Sequence, residues 1–218
     1  MHFVLINFLV AFGFIFFTSF LSAIINYDIY TALENNKTTL ERLKMWGLMM
    51  TLVPFVEELA FRLLLQKSKL NYIVSISLIL LFIFTILSDP SDYLPFINEL
   101  PFKFIGYIPI LLLLLLLSYL SYTYLFKDIY ISVSVKKLLY ATSILFAILH
   151  FSNYKNIELI HIILFPLLIA HHFIFGVFAG YLRLKLGFKW AVYFHALTNV
   201  IAVFFMAIKH FSELYISN

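Results

Sequence analysis

The sequence contains no cysteine, and only 12% of its 218 residues are charged. Without cysteine the chain can have no disulfide framework, no thiol nucleophile and no cysteine-ligated metal. Soluble domains carry about 25% charged residues, and a soluble chain of this size must keep much of its surface in water. The scarcity of charge therefore excludes a soluble globular domain, a disordered chain and a nucleic-acid-binding module.

Apolar residues make up 63% of the chain, and the mean hydropathy is +1.00. The solvent for most of the chain must therefore be lipid. A helix that crosses a bilayer needs about 20 largely apolar residues. The candidate segments are 3–25, 44–66, 70–88, 104–126, 136–151, 158–183 and 189–209. We predict an all-α polytopic membrane protein, a bundle of about seven transmembrane helices.

The segments suggest a simple division of the chain. Residues 1–43 form an N-terminal transmembrane helix and loop, 44–209 the main helix bundle, and 210–218 a short C-terminal tail. The first apolar segment has no Lys or Arg before it and is longer than the apolar region of a signal peptide. We therefore expect it to be retained as a helix.

Loop charges and composition indicate orientation and location. A small excess of Lys and Arg lies on the side that would hold the N-terminus, which predicts a cytoplasmic N-terminus and an external C-terminus. Ile, Lys, Asn and Phe are abundant, as in bacteria of low GC content. We expect a multi-pass protein of a bacterial inner membrane, with the lipid bilayer as a partner and no nucleic acid.

The second apolar segment contains Glu57, Glu58 and Arg62. Ionisable groups are costly within a bilayer, so each is a functional hypothesis. Glu58 and Arg62 are separated by four residues and can form an ion pair on one helical face. Glu57 lies about 100° further round the helix, so it needs a partner on another helix, a proton or a chemical role. Pro54 precedes Glu57 by three residues and should kink the helix there.

Other polar residues lie in later segments. His150 ends the fifth segment, and His195 and Asn199 share one face of the seventh. A single intramembrane histidine more often joins helices than catalyses, and we interpret His172, which shares a face with Gly176, in that way. The combination of carboxylates, histidines and Asn199 on three segments instead favours a shared polar site inside the bundle.

Three motifs occur in order on three segments: Glu57-Glu58-x-x-x-Arg62, Phe146-x-x-x-His150 and His195-x-x-x-Asn199. Together they resemble the CAAX-protease and bacteriocin-processing family (CPBP, or Abi) of intramembrane proteases, which is related to the Ras-converting CAAX endopeptidases. The resemblance runs from about residue 44 to 205.

The resemblance implies an intramembrane endopeptidase that hydrolyses a peptide bond of a membrane-associated or lipidated protein or peptide. It implies that Glu57 and His150 activate water, and that His195 and Asn199 stabilise the oxyanion. Glu58 and Arg62 would support Glu57. His and Asn donors one helical turn apart can both reach a developing oxyanion, which agrees with these roles.

Two alternatives stay open. Glu57, His150 and His195 form the ligand set of some zinc hydrolases, and family members are often labelled metalloproteases. We favour metal-free chemistry over Zn²⁺, because no H-E-x-x-H helix is present and Asn199 is a better oxyanion donor than zinc ligand. The other alternative is a non-enzymatic membrane carrier or bacteriocin self-immunity protein on the same fold. Carriers more often show inverted repeats, and we find none.

Overall fold

The computed structural model describes residues 39–88, 107–153 and 159–216. Every regular element within these ranges is helical, which confirms the all-α class. The predicted helix at 3–25 lies outside the described residues. The α-helices in chain order are α1 (Thr39–Met50), α2 (Leu52–Arg62), α3 (Lys69–Leu87), α4 (Tyr107–Ser121), α5 (Lys127–Ser132), α6 (Val135–His150), α7 (Leu159–Ile163), α8 (Phe165–Leu186) and α9 (Phe188–Ile216).

Four helical stretches of the described part are long and apolar enough to cross a membrane: Lys69–Leu87, Tyr107–Ser132, Phe165–Leu186 and Phe188–Ser212. They correspond to four of the predicted segments, so a helical membrane protein is supported, whereas a seven-helix bundle is not confirmed.

The observed helix boundaries differ in places from the predicted ones. The predicted segment at 158–183 is interrupted at Leu164, and Pro166 lies in the first turn of α8. The predicted C-terminal tail is helical as far as Ile216.

The predicted segment at 44–66 is not one helix, because α1 ends at Met50 and α2 begins at Leu52. The Thr51 amide donates to the carbonyl of Leu48 (3.2 Å), and the Thr51 hydroxyl donates to that of Gly47 (2.8 Å). Pro54 has no N–H with which to bond the Met50 carbonyl, so the helical ladder cannot continue there. The 11 residues of α2 would span only about 16 Å.

The described residues form two compact units. Unit 1 holds residues 39–55, 143–153 and 159–216, and unit 2 holds 56–88 and 107–142.

In unit 1, α9 packs against α8 and against α1. Helix α1 runs antiparallel to α9, since Thr39 bonds His210 (3.2 Å) at one end and the Met49 carbonyl bonds Asn199 (2.7 Å) at the other. The turn between α8 and α9 is Gly187, whose φ is +99°. Its amide donates to the carbonyls of Leu182 and Arg183, which ends α8.

In unit 2, α3 packs against α4, and a π-helical turn at Tyr122–Phe126 leads into α5. The rings of Tyr72, Tyr122 and Tyr130 lie 5.1–6.3 Å from one another. The Tyr130 hydroxyl donates to the carbonyl of Leu64 (3.1 Å) in the 3₁₀ turn after α2. The Ser75 hydroxyl on α3 donates to the Ala60 carbonyl. These bonds hold the C-terminal end of α2, where the acidic motif lies.

Candidate functional site

The acidic motif lies on α2, in the part of that helix that belongs to unit 2. The Nε atom of Arg62 lies 3.6 Å from Oε2 of Glu58, and both residues are 0% exposed. The ion pair predicted from their spacing is therefore confirmed. Removing either partner would leave a buried charge uncompensated, so we expect the loss of one partner to destabilise the protein.

Glu57 differs from its neighbour because its side chain is partly exposed rather than fully buried. It points to another side of α2, about 100° round the helix from Glu58. A carboxylate that its neighbours do not enclose can accept a proton from a water molecule beside it, which is the task of a general base. The structure thus separates a buried structural carboxylate from a partly exposed one.

His150 is the last residue of α6, and its Nδ1 atom donates to the Phe146 carbonyl at 2.8 Å. A carbonyl oxygen can only accept, so Nδ1 must carry the proton in this contact. Neutral His150 therefore has its lone pair on Nε2. That tautomer can accept a proton from water through Nε2, and it could equally offer Nε2 to a metal ion.

Aromatic rings surround the two histidines of unit 1 that the motifs contain. The Phe146 ring lies 4.2 Å from the His150 ring and 6.0 Å from the His195 ring, between centroids. His195 is only 3% exposed, and its ring meets Phe175 on α8 edge to face at 4.6 Å. The rings of His150 and His195 therefore both pack near the ring of Phe146.

Asn199 lies one turn after His195 on α9, and its amide nitrogen donates to the Met49 carbonyl at 2.7 Å. Met49 is in the last turn of α1, where carbonyls lose their helical partners. Asn199 thus caps α1, a role that the sequence does not reveal. Its amide group has a second N–H, so the cap uses one donor and the other suits an oxyanion.

The predicted site residues fall into both units. His150, His195 and Asn199 belong to unit 1, and Glu57, Glu58 and Arg62 belong to unit 2. Across the described ranges, no three His, Asp or Glu side chains are placed to hold one metal ion.

The structure confirms the prediction that His172 joins two helices. Its ring connects α8 to α6, and the partner on α6 is His150, at 4.2 Å between ring centroids. The spacing of His172 from Gly176 predicts a packed face but cannot name the residue on the other side.

Compared with models of protein families, with curated proteins and with solved structures, the chain matches none. Unit 1 offers the His150 imidazole with its lone pair on Nε2, the buried His195 imidazole and the amide donor of Asn199 one turn after His195. Unit 2 offers a partly exposed carboxylate beside a buried ion pair.

Proposed function

We propose that the chain is an intramembrane endopeptidase of the kind that its three motifs resemble. One observation carries the proposal: His150, with Nδ1 bonded to a carbonyl, shares Phe146 with the buried His195, and Asn199 follows His195 by one turn. A base and two candidate oxyanion donors in one unit are the minimum that hydrolysis of a peptide bond requires.

In the proposed reaction, Glu57 takes a proton from a water molecule that also donates a hydrogen bond to Nε2 of His150. The resulting hydroxide attacks the carbonyl carbon of the scissile bond. His195 and the second N–H of Asn199 donate to the oxyanion of the tetrahedral intermediate. The C–N bond then breaks, and the proton taken from water passes to the departing amine nitrogen. The Glu58–Arg62 pair holds the backbone from which Glu57 projects.

Topology is part of the proposal. We propose seven crossings in a bacterial inner membrane. The three beyond the four spanning helices are 3–25, 136–151 and 44–66, which would cross as α1 and α2 together, with the break at Thr51 inside the bilayer. The N-terminus is then cytoplasmic. A reporter fused after Asn218 should be external and one inserted at Asp128 cytoplasmic, and the reverse result for either would contradict this topology.

Proteoliposomes of the purified protein test the activity. The first probe is a quenched fluorescent peptide that ends in a farnesylated cysteine followed by three residues, and the second is the same peptide without the lipid. We expect one peptide bond of the lipidated probe to be cut, as read by mass spectrometry, and Glu57→Gln to abolish the cut. His210→Ala is the control and should retain it. A wild-type protein that cuts neither probe would contradict the proposal.

A proton-coupled membrane carrier is the second candidate, and one observation favours it. The ring centroids of His150 and His172 lie 4.2 Å apart and those of His172 and His171 lie 3.7 Å apart. Rows of intramembrane histidines occur in the proton pathways of pumps and transporters. A pH jump across proteoliposomes that contain a pH-sensitive dye tests this function. Proton flux that His172→Phe abolishes, in protein that cuts neither peptide, would favour the carrier over the protease.

A further inference from the structure

Helix α8 carries a histidine that the proposed mechanism does not use. The ring of His172 lies 4.2 Å from that of His150, with the two planes 33° apart. His150 is on α6, so this contact joins two helices of unit 1 at the imidazole that would activate water. The Nδ1 atom of His172 is buried and has no hydrogen-bond partner among the described residues.

The orientation of His150 determines which atom can serve as the base. Rotation of an imidazole about its last side-chain bond is broad and roughly two-fold. A half turn would exchange Nδ1 with a carbon at the Phe146 carbonyl and would move Nε2 to the other side. Both the carbonyl that Nδ1 bonds and the aromatic ring 4.2 Å away belong to Phe146, one turn before His150 in α6. His172 contacts the His150 ring from a different helix, α8.

The two neighbouring rings approach His150 from separate directions. Phe146 and His172 each lie 4.2 Å from His150, yet they lie 6.3 Å from each other. An imidazole that is packed from two directions must displace one of these rings in order to turn. Tight packing therefore favours the single orientation in which Nδ1 meets the Phe146 carbonyl.

We propose that His172 is a positioning residue for His150 and acts through the face of its ring. It keeps Nε2 of His150 in one orientation, ready to accept a hydrogen bond from water. The proposal rests on the proposed function, in which His150 helps to activate water. The role is assigned to the ring of His172 because that ring packs against His150, whereas its buried Nδ1 makes no hydrogen bond within the described residues.

Two apolar substitutions of His172 distinguish the contribution of its flat ring from that of its ring nitrogens. His172→Phe keeps a flat ring, whereas His172→Leu fills similar space without one. On the farnesylated peptide, His172→Leu should lower kcat about 10- to 100-fold and leave KM within about twofold, because a misplaced base slows chemistry more than binding. His172→Phe should restore most of kcat. Equal kcat in wild type and His172→Leu would overturn the proposal, and so would equal losses in both variants.

A second measurement does not depend on catalysis. In protein labelled with ¹⁵N-histidine, the two ring nitrogens report which of them is protonated, and His150→Gln assigns the His150 signals among the seven histidines. Wild type and His172→Phe should show His150 protonated at Nδ1. His172→Leu should show mixed tautomers or broadened signals.

His210→Ala is the matched control for the spectra. It also removes a histidine with an aromatic contact, Trp46 at 5.9 Å, but it lies about 22 Å along α9 from His195. The His150 signals of His210→Ala should equal those of the wild-type protein. Unchanged signals in His172→Leu would overturn the proposal even if the peptides are cut. If wild type cuts no peptide, the proposed function fails, and the spectra alone decide whether His172 positions His150.

Discussion

At the scale of single residues, neighbouring side chains of the same chemical type have different surroundings. Glu58 is buried against Arg62, while Glu57, the next residue, is partly exposed. His150 bonds a backbone carbonyl, while His195 is enclosed by the Phe146 and Phe175 rings. The motifs fix the residue types, but the surroundings decide which residue holds the fold and which can do chemistry.

The division between the two glutamates predicts different outcomes for their substitutions. Arg62→Ala leaves Glu58 buried without its counter-charge and should cost about 3–5 kcal/mol, which will be seen as a loss of membrane yield. Glu57→Gln, nearly the same shape, should keep the yield and lose activity. Yield is measured by size-exclusion chromatography of a fluorescent fusion. The same drop in yield for both variants would show that the division of roles is wrong.

Asn199 should show two separable effects, because its amide both caps α1 and is proposed to bind the oxyanion. Asn199→Ala should lower turnover about 10²–10³-fold without abolishing it, as for one lost oxyanion donor. It should also lower the unfolding temperature, by the equivalent of about 1 kcal/mol for the bond to Met49. Thr198→Val is the control, since among the described residues the Thr198 hydroxyl donates within α9, to the Phe194 carbonyl. A fully active Asn199→Ala would refute the oxyanion role.

The choice between metal-free and zinc chemistry can be decided on one protein sample. If water is activated by Glu57 and His150 alone, protein stripped by a strong chelator and shown to be metal-free should keep full activity. If Glu57, His150 and His195 are ligands, each substitution should lose metal and activity together, and Asn199→Ala should keep the metal. Metal content and peptide cleavage are measured side by side. Activity that disappears with stoichiometric zinc and returns with it would refute the metal-free mechanism.

At the scale of elements, two glycines in different backbone conformations predict opposite effects of the same change. Gly187 has φ +99° and ψ 177°, a region that is essentially restricted to glycine, so Gly187→Ala should destabilise the protein by about 1–3 kcal/mol. Gly47 lies inside α1, and a Cβ there would meet no atom within 4 Å. Gly47→Ala should stabilise by up to about 1 kcal/mol through helix propensity. Thermal unfolding in one detergent compares them, and a rise for both would refute the interpretation of Gly187.

The elements also show what a sequence can and cannot predict. Apolar runs predicted α3, α4, α8 and α9 well, because a bilayer requires long helices. The structure has a break at Thr51 where a kink is expected at Pro54. Proline has no N–H to bond the carbonyl four residues earlier, which is that of Met50, the last residue of α1. The Glu58–Arg62 pair followed from spacing along one helix. The Asn199–Met49 bond joins residues 150 positions apart, and no local pattern encodes such a contact.

At the scale of the whole molecule, the proposed chemistry uses side chains that are far apart in the sequence. In the proposed reaction, Glu57 and His150 act on the same water molecule, and this part of the proposal can be tested directly. The chain has no cysteine, so pairs of cysteines can be introduced without removing any native thiol. A general base and its partner that share one water lie within reach of a short bifunctional thiol reagent.

We therefore expect Glu57→Cys combined with His150→Cys to be joined by such a reagent in intact membranes. With a protease site inserted in the connector at 88–103, a joined chain stays in one piece after digestion on a denaturing gel, whereas an unjoined chain gives two fragments. The control combines Glu57→Cys with His210→Cys, because His210 lies at the far end of α9 against Thr39 and Trp46. Joining of the first pair alone would mean that the carboxylate and the imidazole converge in the folded protein. If the first pair stays unjoined while each cysteine reacts with a monofunctional reagent, Glu57 and His150 do not share a water molecule, and the proposed mechanism fails.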